Sequence, residues 1–341
     1  MNYLIENEVL CVTECPFIRG RYILFTSIVV NPRRLLNMSS VKVVKVTEPL
    51  VLGEGPHWDA AQQALFFVDI KGHSIHKYKP ATGEHSSTKL GGAVGFIVPV
   101  EGTSDQFVVG VERQFQIVQW DGSDGGAARV LRTLGEVDQE APSNRINDGK
   151  ADPRGRLFAG TIGAEDIPGQ FAMNKASLFR WDGPNMKKLV QGVTVSNGLA
   201  WDLKEKAFYY TDSLEYNIRR YDYDVETGEI SNMSYVFDFK KNNVAGVPDG
   251  STIDTDGNLW VAVFGGSCVL NVDPRTGKLL RKIPIPALQV TSATFGGPNL
   301  DTLYVTSASM NISGEQLPPC GATFEVTGLG VKGHPNLNFK L

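Results

Sequence analysis

A short apolar phrase recurs six times along this chain, and this repetition constrains the fold more than any other feature of the sequence. Each copy holds five residues rich in aromatic and β-branched side chains. The copies begin at Leu65, Phe107, Leu157, Phe208, Leu259 and Leu303. Successive copies are 42, 50, 51, 51 and 44 residues apart. Repeats of about 40–50 residues that contain several strands each are typical of a β-propeller.

Turns rather than helices separate these phrases. Asp, Gly or Asn residues precede them, as in DPRGR at 152–156 and DTDGN at 254–258, and no helical pattern lies between them. The sequence therefore predicts an all-β, six-bladed β-propeller over residues 38–341. The segment 41–46 lacks a partner in the first blade. We expect it to become the outermost strand of the last blade, beside 323–326, and so to close the ring.

Residues 1–37 precede the repeats and differ from them in composition. An apolar run at 22–30 is flanked by arginines, but Glu6, Glu8 and Glu14 come first and argue against a signal peptide or a transit peptide. We expect residues 1–37 to form an isoform-specific, poorly ordered extension of the domain.

Composition disfavours several classes of function. The formal net charge of −4 argues against a nucleic-acid partner, which would need a basic face. No stretch approaches the roughly 20 apolar residues that span a bilayer, so no membrane partner is expected. Of the 4 cysteines, Cys268 and Cys320 lie in the repeats, too few for a disulfide framework, and this favours a cytoplasmic protein.

Four polar residues share one position of the repeat, ten or eleven residues before the phrase. They are Glu54, Asn147, Asn197 and Asp249, in the glycine-containing motifs GEGP, INDG, SNGL and PDGS. Equivalent positions of a propeller lie at equivalent radius and height, and the innermost strand of each blade lines the central channel. We therefore predict that these four side chains converge at one end of the channel.

The predicted cluster has the donor chemistry of a metal site. Two of its members are carboxylates, which repel each other when they are buried together unless a cation neutralises them. Oxygen donors without His or Cys favour one hard divalent cation, Ca²⁺, Mg²⁺ or Mn²⁺, and also admit Zn²⁺. The alternative is that each residue only caps its own turn. The common register of all four favours the metal site.

Two further charged residues are candidates for the same site. Arg145 lies two residues before Asn147, so strand alternation aims both side chains the same way. Glu165 follows the third phrase, in the loop TIGAEDIPG. An arginine beside a bound substrate can orient its oxygens, although a structural ion pair explains Arg145 equally well. The sequence has no motif for phosphate, dinucleotide or serine-nucleophile chemistry.

Long motifs in the repeats carry a further resemblance. They are GEGPHWD, NRINDGKADPRGRLFAGT, VSNGLAWD, FYYTDSLEYNI, PDGSTIDTDGNLWVA and GLGVKG. From about Met38 to the C-terminus the chain resembles the SMP-30/gluconolactonase/luciferin-regenerating-enzyme family. The body together with its N-terminal extension resembles an insect member of that family.

The resemblance implies a six-bladed propeller with one divalent metal on its axis and lactonase activity towards aldonolactones. Carried over by motif, it implies Glu54, Asn197 and Asp249 as metal ligands. Our mechanistic hypothesis is metal-assisted ester hydrolysis, in which Asp249 is both a ligand and the general base.

The resemblance also implies contacts to a sugar lactone from Arg145, Asn147 and Glu165. Residues 162–163 depart from the family pattern just before Glu165. Three alternatives stay open: a calcium-binding regulator without turnover, an enzyme of the luciferin-regenerating type, and a protein-interaction propeller whose polar ring only plugs the channel.

Overall fold

The computed structural model describes residues 41–183, 185–312 and 314–341, and regular structure within them is almost entirely β. The predicted extension, residues 1–37, lies outside the described residues. Within those ranges the helical structure is a 3-10 turn at Ser213–Glu215, and no helix there is long and apolar enough to cross a bilayer.

Four antiparallel sheets of four strands follow β1 (Lys42–Lys45) along the chain. The first contains β2 (Gly53–Asp59), β3 (Ala64–Asp69), β4 (Ser74–Lys79) and β5 (Glu84–Lys89). The second contains β6 (Val94–Pro99), β7 (Gln106–Val111), β8 (Gln114–Gln119) and β9 (Arg129–Glu136). The third contains β10 (Arg145–Ala151), β11 (Leu157–Ile162), β12 (Ala176–Asp182) and β13 (Asn185–Val193). The fourth contains β14 (Ser196–Asp202), β15 (Ala207–Asp212), β16 (Asn217–Tyr223) and β17 (Ile230–Asp238).

The fifth sheet is larger, because hydrogen bonds join the last two repeats. Its strands are β18 (Val247–Ile253), β19 (Leu259–Phe264), β20 (Cys268–Asp273), β21 (Lys278–Pro284), β22 (Gln289–Gly296), β23 (Thr302–Ala308), β24 (Phe324–Thr327) and β1. The pairing of Phe264 with Gln289 connects β19 to β22 and makes one 8-stranded sheet.

This sheet corrects the predicted architecture. The all-β, propeller-like arrangement is present, but the prediction of six separate blades, the last closed by an N-terminal strand, is wrong. The structure has four discrete four-stranded blades and one 8-stranded sheet. β1 pairs with β24, from Lys42 opposite Thr327 to Lys45 opposite Phe324, as an edge of that sheet rather than as the closing strand of a separate blade. The repeat spacing in the sequence gives the number of similar strands, but it does not show which strands share a sheet. Sheet membership depends on which strands form backbone hydrogen bonds with each other.

The recurring phrases form the second strand of each repeat, and they carry the core. All residues of β3, β11 and β15 are buried. Aromatic rings pack between neighbouring sheets, as where the rings of Phe66 and Phe107 lie 4.9 Å apart. Because both faces of these strands are covered, they read as continuous apolar runs instead of alternating ones.

Aspartates at the end of the first strands fix the turns that lead into the core strands. Asp254 accepts hydrogen bonds from the amides of Asp256 and Asn258 at 3.0 and 2.8 Å, and from the Trp260 indole at 2.9 Å. Asp152 receives the amide of Arg154 in the same way at 2.8 Å. The segment DTDGN is therefore a turn, in which the carboxylate satisfies backbone donors.

The first strands of the repeats surround a common axis. Consecutive first strands contact each other in chain order, and the last of them contacts the first. These strands are β2, β6, β10, β14, β18 and β22.

Two buried histidines make the stability of the fold depend on pH. His57 and His76 are 4% and 5% exposed, and burial lowers the pKa of each from 6.5 to about 4. The folded state therefore keeps both rings neutral, whereas the unfolded chain binds protons below pH 6.5. Stability is expected to fall as the pH drops from 6.5 towards 4 and to level off below that range, by about 2 kcal/mol per histidine between pH 7 and pH 5.

Urea unfolding of the wild type and of His76→Asn at pH 7 and pH 5 tests this expectation. The variant lacks one titrating ring, so its free energy of unfolding should lose about 2 kcal/mol less over this interval than that of the wild type. Equal losses in the two proteins would contradict the assignment of His76.

Candidate functional site

An extra residue in each first strand marks the predicted site position. The pairing of first and second strands shifts register between Glu54 and His57, between Ile146 and Asp148, and between Asn197 and Leu199. Equivalent irregularities occur in the other three first strands, including β18 around Asp249. Such β-bulges bend a strand and re-aim a side chain. The repeated position therefore presents polar groups towards the axis in several strands at once.

Glycines beside these bulges let neighbouring first strands approach closely. Gly198 has φ +40, and a Cβ there would lie 2.9 Å from the carbonyl oxygen of Asp249. A Cβ on Gly95 would lie 2.6 Å from the carbonyl oxygen of Ile146 and 2.8 Å from that of Asn147. Only a residue without a side chain fits such contacts with backbone.

Two of the predicted residues are in direct contact. The side-chain amide of Asn147 donates to Oδ1 of Asn197 at 3.1 Å and to the carbonyl oxygen of Ser196 at 2.9 Å. Asn197 in turn donates from Nδ2 to the hydroxyl of Ser213 at 2.9 Å. The guanidinium of Arg145 donates to Oδ1 of Asn147 at 2.8 Å. The chain of hydrogen bonds fixes both amides and leaves Oδ1 of Asn197 with a second lone pair.

The two predicted carboxylates are buried and electrostatically linked. Glu54 and Asp249 are 5% and 6% exposed. Burial, followed by the neighbouring Asp148, raises the pKa of Glu54 to about 8. Burial, then Glu54 and Asp148, raises the pKa of Asp249 well above its ordinary value. Oδ1 of Asp249 is buried and has no hydrogen-bond partner among the described residues.

Asp148 and Lys150 belong to the same buried cluster, and reasoning from the sequence missed both. Burial raises the pKa of Asp148, and Lys150 partly opposes that rise. The ammonium of Lys150 donates to the carbonyl oxygens of Ser251 at 2.6 Å and Leu199 at 3.3 Å. Both residues stand in the motif NDGK beside Asn147, but strand alternation alone gives no sign that Asp148 reaches the site, because a bulge breaks the alternation.

Glu165 lies near Arg145 but is engaged by other groups. Its Oε2 accepts from the ammonium of Lys71 at 2.6 Å, and its Oε1 accepts from the amide of Gly169 at 2.9 Å. Burial raises the pKa of Glu165, but these two hydrogen bonds and the charges of Lys71 and Arg145 together outweigh it and lower the pKa. Burial lowers the pKa of Arg145, and Glu165 is the leading group that opposes this. Glu165, in the loop after β11, therefore interacts with Arg145 electrostatically, whereas its direct hydrogen-bond partner is Lys71.

The predicted metal ligands differ in kind from a cluster of acidic, histidine or cysteine side chains. No group of three or more His, Cys, Asp or Glu side chains suited to a metal occurs in the described part of the chain. The predicted set is different, because it combines two carboxylates, Glu54 and Asp249, with the amide oxygen of Asn197. The unpartnered Oδ1 of Asp249 and the raised pKa values of both carboxylates show a deficit of positive charge there. These oxygens fit a hard divalent cation.

Comparison with known proteins gives concordant results. Residues 52–309 match the model of the SMP-30/Gluconolactonase/LRE-like region. The chain is 38% identical to regucalcin of Danio rerio over 307 residues, which is 89% of this chain and 99% of that protein. It is 37% identical to regucalcin of Gallus gallus, again with 89% and 99% covered. The resemblance predicted from the motifs is confirmed, whereas an insect origin stays a prediction.

Solved structures show the same likeness. A luciferin-regenerating enzyme is 39% identical, with a TM-score of 0.84 over 89% of this chain and 100% of that chain. A calcium-binding protein, regucalcin, from Agrobacterium tumefaciens has a TM-score of 0.77 at 23% identity, over 87% of this chain and 97% of that chain. The second similarity concerns the fold alone.

Proposed function

Because this chain belongs to the SMP-30/Gluconolactonase/LRE-like family, we propose that it is a divalent-metal-dependent lactonase that opens sugar lactones such as glucono-1,5-lactone. One observation carries the proposal. Three oxygen-bearing side chains on different first strands, those of Glu54, Asn197 and Asp249, are buried at one repeat position, and Oδ1 of Asp249 has no partner in the described residues.

Glu54, Asn197 and Asp249 would hold the cation. A divalent cation supplies Lewis-acid stabilisation of the charge that grows on a lactone carbonyl oxygen during attack. Positive charge at this place also favours the ionised forms of Glu54 and Asp249, which burial and mutual repulsion disfavour.

Asp249 is the proposed general base. Its carboxylate removes a proton from water as the water oxygen bonds to the carbonyl carbon. The bond between that carbon and the ring oxygen then breaks, and the ring oxygen receives the proton to give the open hydroxy acid. The burial of Asp249 supports this role, because a desolvated carboxylate is a stronger base than a solvated one.

Arg145 and Asn147 are proposed to orient the substrate hydroxyls. The hydrogen bond between them, 2.8 Å long, holds both side chains in place before substrate arrives. Glu165 is proposed as a further contact, from the loop after β11. The ion pair between Glu165 and Lys71, at 2.6 Å, fixes the position of the Glu165 carboxylate.

Removal of divalent cations tests the proposed function. Treatment with a chelator is expected to lower the hydrolysis rate of glucono-1,5-lactone at least about 100-fold, and one equivalent of added cation should restore it. A panel of Ca²⁺, Mg²⁺, Mn²⁺ and Zn²⁺, each followed by rate and by thermal shift, identifies the effective ion. Undiminished turnover after chelation would overturn metal dependence.

Metal affinity and substrate range together separate the remaining candidates. The oxygen-only donor set also suits a calcium-binding protein of the regucalcin type, which would bind Ca²⁺ tightly without opening lactones. The 39% identity to a luciferin-regenerating enzyme supports a different substrate for the same site. Rates on sugar lactones and on luciferin precursors distinguish these two substrate classes. Cytoplasmic localisation and the lack of a nucleic-acid partner remain predictions.

A further inference from the structure

Lys150 is a cationic side chain that reaches across three first strands. It belongs to β10, but its ammonium donates to the carbonyl oxygen of Ser251 in β18 at 2.6 Å and to that of Leu199 in β14 at 3.3 Å. Ser251 follows the proposed metal ligand Asp249 by two residues, and Leu199 follows Asn197 by two. Two residues of extended chain span at most about 7 Å. Backbone oxygens therefore hold the ammonium close to two of the proposed ligands.

Asp148 lies beside Lys150 on the same strand. After the bulge that follows Ile146, the pairing of β10 with β11 is regular, so Asp148 and Lys150, two residues apart, point the same way. Asp148 is 4% exposed, and its Oδ1 accepts from the amide of Gly149 at 2.8 Å. Burial raises the pKa of Asp148, and Lys150 is the first group that opposes this rise. Asp148 and Lys150 are therefore neighbouring opposite charges.

The charge of Lys150 also reaches Glu54. Burial raises the pKa of Glu54 to about 8, and the charges of Arg145 and Lys150 oppose that rise. Burial lowers the pKa of Lys150, which Asp148 and Glu54 oppose in turn. Arg145 has Glu165 as its leading opposite charge. The hydrogen bonds of Lys150, in contrast, go to neutral carbonyl oxygens, so its positive charge acts on the buried carboxylates.

A fixed positive charge at this place repels a cation held by Glu54, Asn197 and Asp249. Coulomb repulsion grows in proportion to the charge of the cation, so it disfavours a trivalent ion more than a divalent one. From this arrangement we propose that Lys150 is a specificity-determining residue of the metal site, whose ammonium makes the site favour divalent over trivalent cations. The inference rests on the metal site of the proposed function, but not on lactone hydrolysis.

Calorimetric titration of the full chain with Ca²⁺ and with Tb³⁺, ions of similar radius and different charge, tests the inference. Lys150→Gln keeps N–H donors but removes the charge, so the ratio of Tb³⁺ affinity to Ca²⁺ affinity should rise at least about fivefold. Lys150→Arg keeps the charge, and its ratio should stay within about twofold of the wild type. Both ions need ionised Glu54 and Asp249, so competition with protons cancels in the ratio.

A second background and a control variant complete the design. Asp148 can take up a proton once the lysine charge is lost, so the comparison is repeated in Asp148→Asn. Addition of Lys150→Gln to that variant should again raise the ratio at least about fivefold. The double variant lacks both charges, so the test does not depend on the folding of Lys150→Gln alone. Lys77→Gln is the matched control. Lys77 is 8% exposed in β4, where it donates to Oε1 of Gln62 at 2.7 Å, and its loss should leave the ratio unchanged.

Several results would overturn the inference. Ratios within about twofold of the parent protein, in both backgrounds, would exclude Lys150 while leaving the metal site intact. An equal rise in Lys150→Arg or in Lys77→Gln would mean that lost packing, and not lost charge, changes the selectivity. Asp249→Asn should abolish binding of both ions, and persistent binding in that variant would place the ions elsewhere. If the wild type bound neither ion, the proposed metal site would fail and the inference with it.

Discussion

Replacement of Asp249 by asparagine is expected to reduce the turnover of glucono-1,5-lactone at least about 1,000-fold. The amide has nearly the same shape as the carboxylate but cannot take a proton from water, and it offers a cation no negative charge. Because Asp249 is 6% exposed and lies beside Glu54 and Asp148, the substitution also removes a buried repulsion. The variant without metal should therefore unfold at the same temperature as the wild type or a higher one.

Initial rates with saturating lactone and thermal unfolding with and without added cation measure both effects. Asp301→Asn, which changes an exposed aspartate away from the cluster, is the matched control and should leave rate and stability unchanged. Retention of more than about a tenth of the wild-type turnover by Asp249→Asn would exclude this carboxylate as the general base.

The substitution of Gly95 by alanine is expected to destabilise the fold by at least about 3 kcal/mol. The new methyl group would lie 2.6 and 2.9 Å from the carbonyl oxygen and carbon of Ile146, and 2.8 Å from the carbonyl oxygen of Asn147. All three atoms are backbone of β10, so no side-chain rotation can make room. The two strands must separate, and the shift of Asn147 should also loosen its contact with Asn197.

Urea unfolding at neutral pH measures this loss, and Gly91→Ala supplies the comparison. A Cβ at Gly91 meets no atom within 4 Å, so that change should cost less than about 1 kcal/mol. If Gly95→Ala were as stable as Gly91→Ala, the close approach of β6 and β10 would be refuted.

The sequence repeat allowed the positions of the candidate site residues to be predicted. The phrase at Leu259 and its five equivalents form strands that are buried on both faces. Such strands must be apolar whatever residues pack against them, so the sequence shows them directly. Counting back from each phrase leads to the first strand, where Asn147 and Asn197 meet at 3.1 Å. The period of the repeat carries that information, because equivalent residues take equivalent places around an axis.

Other parts of the site could not be read in this way. Asp148 joins the carboxylates through a bulge in β10 between Ile146 and Asp148, and a bulge changes the side-chain alternation from which a sequence predicts the direction of a side chain. The substrate contact of Glu165 stays a prediction, but no pattern in the sequence indicated that Glu165 pairs with Lys71, from a loop of the first repeat 94 residues away. Contacts between distant loops leave no periodic signal.

By itself, the sequence determined the β class, the strand period, the turns closed by aspartates such as Asp254, and the common register of Glu54, Asn147, Asn197 and Asp249. These features follow from local chemistry and from repetition. Tertiary structure alone decided that Phe264 and Gln289 merge two repeats into one sheet, and that Asp148 and Lys150 act on Glu54 within one buried cluster. Each of these depends on the distance between groups far apart in the chain, which no local pattern encodes.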